Sequence, residues 1–152
     1  MKKILWLVPL FLLSSPLCAD HGMNQESLER IVKATADQAK GEKGVVEFEF
    51  KTVRMYLISD PNHNRMRIVA PVAKYETLTR VQIDALLESN YHKALDARYA
   101  VSKGVLYSAY IHTLAELHEG QVRSAVHQVA NLALSFGNDY SSGKLKFEGQ
   151  SE

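Results

Sequence analysis

Between residues 45 and 70, apolar side chains recur at every second position in three successive runs: Val46, Phe48 and Phe50; Val53, Met55 and Leu57; Met66, Ile68 and Ala70. Successive side chains of an extended strand point to opposite faces, so each run presents one apolar and one polar face. Glu47, Glu49 and Lys51 fill the alternate positions of the first. With the turn-forming Asp60-Pro61-Asn62-His63-Asn64 between the last two, the runs predict three antiparallel strands whose shared apolar face must be covered.

Helices supply the cover. Val122, Ala125, Val126, Val129, Leu132, Ala133 and Phe136 trace one helical stripe, and Gly137 stands where a C-terminal cap glycine belongs. Leu28, Ile31, Val32, Thr35 and Ala39 predict a first helix, capped by Asn24 or Ser27 and stopped by Gly41 and Gly44. Thr79-Arg80-Val81-Gln82 fits a capping box and Leu78 with Ile83 a hydrophobic staple. The second helix that follows is expected to share Ile83, Leu86, Leu87, Asn90 and Tyr91 on one face. Lys103-Gly104 then joins two strands, Ala97 to Ser102 and Val105 to His112, as a tight hairpin. Both sets of alternating positions in the second of these strands are largely apolar, so it needs cover on both faces. Lys144-Leu145-Lys146-Phe147 is a candidate short edge strand. The expected fold is therefore α+β, an antiparallel sheet of about five strands with helices on one face, in the order α-β-β-β-α-β-β-α.

The chain opens with two lysines, an apolar run from Ile4 to Leu13 and small or polar residues ending in Leu17-Cys18-Ala19. That order is the one of a secretory signal peptide, and the apolar run is too short for a permanent membrane anchor. Residues 1–19 are expected to be removed, 20–148 to form one domain and 149–152 a flexible tail. Cleavage after Ala19 discards the single cysteine and the single tryptophan and leaves 133 residues, enough for one core without disulfides. Loss of two lysines from the 18 basic residues leaves 16 against 17 acidic ones. Charges of both signs are interspersed, so no basic stripe points to nucleic acid.

Four stretches carry a resemblance: RMRIVAPV at 65–72, NYHKALDARYAV at 90–101, LYSAYIHTL at 106–114 and FGNDYSSGKLKF at 136–147. Together with the element order they resemble the YbjN-like group within the type III secretion chaperone-like superfamily. The resemblance implies a compact domain that often forms homodimers and, in the secretion chaperones, binds an extended segment of a client protein. It implies no catalytic motif and no cofactor.

HKALDARY, residues 92–99, concentrates the chemically capable side chains. His92 one helical turn from Asp96 would suit a general base and its orienting carboxylate. The structural reading makes Asp96 and Arg98 the fastenings of a helix-to-strand junction, with Tyr99 and Leu95 packed inward; it is favoured because no nucleophile or oxyanion donor accompanies them. For metal, His118-Glu119 opens like an HExxH helix but lacks the second histidine, and His112 and His118 lack a third ligand. His118 reads better as a helix-start residue. A cut after Cys18 would instead expose Ala19-Asp20-His21, a square-planar Cu(II) donor set. Glu47 and Glu49 stand about 7 Å apart on one strand face, as an inverting glycosidase pair does, but cross-strand pairing with Arg54, Arg65 or Arg67 accounts for them more simply.

Tyr99, Leu106, Tyr107, Tyr110 and His112, on the final hairpin, are candidates for a partner or dimer interface, with burial in the core as the alternative. The expected function is an exported, periplasmic, non-enzymatic protein- or peptide-binding module, chaperone-like, with homodimerisation among the expectations. The competing class is a small periplasmic hydrolase or metal-binding protein using His92, His112 or His118.

Overall fold

The computed structural model describes residues 22–144. The expected leader at 1–19, the Ala19-Asp20-His21 motif, the expected tail at 149–152 and the candidate strand from Leu145 onward fall outside those residues. Helix α1, Gln25–Thr35, starts at Asn24, whose side chain accepts the Ser27 N–H at 2.8 Å. Its buried side is Leu28, Ile31 and Val32.

The helix ends at Thr35 and does not run on to Ala39. Ala36 is already extended, and Gln38–Glu42 forms a strand, β1, paired antiparallel with β2, Val45–Phe50. All five β1 residues are exposed, so no apolar alternation marks the strand in the sequence. The described residues therefore hold six strands, one more than expected. β3 is Val53–Asp60, β4 Arg65–Lys74, β5 Arg98–Ser102 and β6 Val105–Thr113. They lie in one antiparallel sheet in the order β1-β2-β3-β4-β6-β5.

The β1–β2 turn, Lys43-Gly44, has φ of 55° and 94°, the left-handed pair that a two-residue hairpin needs. The Gly44 N–H donates to the buried Glu29 carboxylate at 2.7 Å, and a Cβ at Gly44 would stand 2.8 Å from the Ser59 carbonyl oxygen. Helix α1 is thus tied to the hairpin it covers. Helix α3, Glu119–Leu134, lies beside α1 on the same sheet face. Leu28 and Val32 from α1 and Val122, Val126 and Val129 from α3 meet Met55, Leu57, Met66 and Ile68 in one core. Burial of each such side chain stabilises the fold by about 1.5–3 kcal/mol.

Helix α2, Arg80–His92, stands apart. The capping box at its start is present: the Gln82 N–H donates to the Thr79 hydroxyl at 3.3 Å, and the Thr79 N–H to the Gln82 side-chain Oε1 at 2.9 Å. Its expected apolar face is turned inward only at Leu86 and Asn90. Only Leu86 and Ser89 are buried, while Leu87 is 63% and Tyr91 82% exposed. The helix meets the sheet along the outer edge of β5, where Asn90 accepts the Tyr99 N–H at 2.8 Å and donates to the Tyr99 carbonyl at 3.1 Å. One side-chain amide substitutes for a neighbouring strand, which blunts the edge. The opposite edge, β1, is short, carries Lys40 and Glu42, and is bent at Gly41 with φ 98°.

Candidate functional site

The two faces of the sheet differ. Both helices that cover it, α1 and α3, lie on one side, where Leu106, Ser108 and Tyr110 of β6 are buried. The intervening residues Tyr107, Ala109 and Ile111 point the other way, onto a face with no cover among the described residues. Strand register builds that face in rows. Val45, Ile58, Arg67 and Ile111 are successive cross-strand neighbours, as are Glu47, Tyr56, Val69 and Ala109 and, at the far side, Pro71, Tyr107 and Ala100.

The centre of this face is apolar and shallowly concave, a depression of about 490 Å³ with Tyr56, Ile58, Val69, Tyr107 and Ile111 in its lining. Val45, Ile58 and Ile111 are 56, 41 and 60% exposed. Arg67 stands among them and forms no ion pair among the described residues. Toward β1 the face turns polar: Glu47 is bridged by Lys40 at 3.2 Å and Arg54 at 3.6 Å. That pairing occupies the carboxylate that sequence spacing made a glycosidase candidate.

The interface candidates divide accordingly. Tyr107 lies on the open face. Tyr99, Leu106 and Tyr110 are buried beneath the helices, with 7, 1 and 5% of their surface exposed, and are corrected to core positions. Alternation along each strand decides this, because α3 covers the face they share. The Tyr99 hydroxyl donates to the Leu132 carbonyl at 2.6 Å, and its ring meets Phe136 and Tyr140 edge-on. His112 lies on the helix-side face at the end of β6, its ring stacked on Tyr110 and its Nδ1 2.8 Å from the Thr113 carbonyl.

Burial holds the Tyr99 hydroxyl far above the ordinary tyrosine range. The raised value means that the folded state resists ionisation more than the unfolded chain, so this contribution is complete below the unfolded value of about 10. It is lost as pH rises above that value toward the folded one. Tyr99→Phe is therefore expected to flatten the alkaline limb of a stability–pH curve above about pH 10, at the cost of the Leu132 hydrogen bond at neutral pH. Urea melts of both proteins at pH 7 and 11 measure this; parallel losses would remove Tyr99 as the alkaline trigger.

At HKALDARY the chain is fastened rather than open. Gln128 on α3 accepts the Asp96 N–H at 2.8 Å and the Ala97 N–H at 3.1 Å with one oxygen, and its Nε2 donates to the Asp96 carboxylate at 3.2 Å. Arg98 donates to the Leu95 and Ala97 carbonyls. The Leu95 N–H donates to the Ser142 hydroxyl at 2.6 Å, the Ser89 hydroxyl to the Tyr140 carbonyl, and Lys93 to the Asp139 carbonyl at 3.2 Å. The segment after α3 thus clamps the α2–β5 corner. His92 is exposed, its ring against Tyr91 at 4.8 Å, and shares no hydrogen bond with Asp96. His118 caps α3: its N–H donates to the Gln121 side chain at 2.8 Å. Among the described residues no three His, Cys, Asp or Glu side chains gather where a metal ion could be held. Sequence reasoning missed Gln128, whose partners lie 31 and 32 residues away, and the open face as a unit, which needs the register of four strands.

No protein-family model and no curated protein sequence matches the chain. Solved structures do. Three similar ones are the ExsC–ExsE complex (14% identity, 72% of this chain and 90% of that one, TM-score 0.55), the Yersinia pestis type III secretion chaperone SycH with a stable fragment of YscM2 (13%, 74% and 98%, 0.56), and the HopA1–SchA chaperone–effector complex (8%, 74% and 88%, 0.54). The fold of this chain is accordingly that of the type III secretion chaperones.

Proposed function

We propose that this protein is an exported, non-enzymatic, chaperone-like module that holds a polypeptide segment on its open sheet face. The uncovered apolar centre of that face carries the reading: an exposed apolar patch with a charged margin toward β1 is a site for another protein. SycH and SchA, which share the fold, were solved with a partner polypeptide bound. The leader-like residues 1–19 support export, and intact mass of the protein recovered from the periplasm tests it: a chain beginning after Ala19 is expected, and retention of residues 1–19 overturns the export reading.

Binding is tested by a photo-crosslinking residue at Tyr107, compared with one at the exposed Lys33 on α1, in the cell that makes the protein. A discrete adduct from Tyr107 and none from Lys33 is the expected result. An adduct of twice the chain's mass identifies a homodimer and any other discrete mass a client. Equal labelling from both positions, or none, sinks the proposal.

A further inference from the structure

A second cavity lies at the sheet edge, where β5 and β6 part company, and borders the open face at Ile111. β6 runs through Thr113, but its pairing with β5 stops at Ala109, opposite Arg98. Before Arg98 the chain is drawn off the sheet edge toward α3 by the two hydrogen bonds from Asp96 and Ala97 to Gln128. The wedge between is a cleft of about 370 Å³, walled by Asp96 and Arg98 on one side, Tyr110 and Ile111 on the other and Gln128 of α3 at its back.

The backbone at this wedge has spare capacity. Tyr99 turns its N–H and C=O outward to Asn90, so by antiparallel alternation Arg98 and Ala100 bond to Ala109 and Tyr107. The same alternation directs the Ile111 N–H and C=O into the cleft, where β5 no longer meets them. Tyr110 adds a polar group: its side chain is 5% exposed, and its hydroxyl has no hydrogen-bond partner among the described residues. Burial and then the nearby Asp96 charge raise its pKa, which keeps it a donor at neutral pH. Asp96 spends one carboxylate oxygen on Gln128, and Arg98 spends one guanidinium nitrogen on backbone carbonyls; each keeps further capacity.

We propose that this cleft binds a small zwitterionic peptide of dipeptide size, extended along the Ile111 edge with its ammonium at Asp96 and Tyr110 and its carboxylate at Arg98. Asp96 and Arg98 are two residues apart, at most about 7 Å of backbone, and the terminal charges of an extended dipeptide are separated by about 6 Å. The peptide's own amide meets the free strand edge, the mode of strand addition combined with terminus capture. The site borders the open face at Ile111 but does not rest on the open-face reading, since Asp96 and Arg98 lie outside the apolar centre.

The probe is alanyl-alanine, titrated into the purified protein and followed by the backbone amide resonances of Asp96, Ile111 and Gln128. Saturable shifts at these amides are expected. Asp96→Asn, which keeps an acceptor for Gln128, should weaken binding about tenfold or more, and Tyr110→Phe about three- to tenfold with an unchanged Tm. Capping both peptide termini should abolish binding. Absence of saturable shifts, equal binding by the capped peptide, or wild-type affinity in both variants overturns the proposal. Tyr110→Phe removes a hydroxyl that holds nothing else, so its result does not depend on tolerance at Asp96.

Discussion

Gln128→Ala is expected to lower the unfolding free energy by about 2–3 kcal/mol and the melting temperature by about 10 °C. The side chain is 5% exposed and satisfies two backbone donors at once, Asp96 and Ala97, the second of them buried. Truncation leaves no side-chain acceptor for either, and a buried donor left unpaired costs about 1–3 kcal/mol. The loss also frees the first residues of the α2–β5 corner, so hydrogen exchange of the Asp96 and Ala97 amides should accelerate more than exchange in β3. Ser124→Ala tests the assignment. It removes only the part-buried contact between Ser124 and Gln128 Nε2, at 3.1 Å, and leaves both backbone donors paired, so it should change stability by less than about 0.5 kcal/mol. Similar small losses in both variants would mean that water replaces Gln128 at the corner.

The same residue shows where sequence reading ends. Strands β2 to β4 and helix α3 were legible because each repeats its apolar residues at the period of its own geometry, and the burial of Val46, Phe48, Met55, Leu57, Val126 and Val129 follows that repeat. β1 carried no such signal: all its side chains face water, and it exists because the edge of β2 offers it hydrogen bonds. Helix α2 gave a misleading one. Leu86 and Asn90 of the expected face do meet the body, joined by Ser89, but Leu87 and Tyr91 on its other flank face water. Gln128 sits on the polar flank of α3, where a glutamine is the ordinary solvated residue, and only the return of the chain at Asp96 makes it buried. At the candidate site, β6 announced two apolar faces, but nothing in its pattern says which one the helices take. That choice sends Tyr110 inward and Tyr107 outward.

The double substitution Ile58→Asp, Ile111→Asp is expected to abolish polypeptide capture by the open face while leaving the fold intact. Both isoleucines are directly opposite Arg67 across the strands, one on each side. An aspartate facing an arginine at such a position gains a cross-strand charge pair of about 0.2–1 kcal/mol, and neither isoleucine contributes to the helix-covered core. Melting should therefore shift by no more than about 3 °C, within what surface changes of about 0.5 kcal/mol produce in a domain of this size. Binding responds differently. Two charges placed in the centre of the apolar patch must be desolvated by any apolar segment that settles there, and the loss of two central anchors costs about 2 kcal/mol or more each. Together that corresponds to a fall in affinity of about several hundredfold or more, which should take the Tyr107 photo-adduct to background. An adduct that persists undiminished in a folded double variant would place the partner elsewhere on the molecule. Lys40→Glu serves as the comparison on the same side of the sheet: it breaks the exposed bridge to Glu47, lies in the charged margin, and should leave the adduct within about twofold.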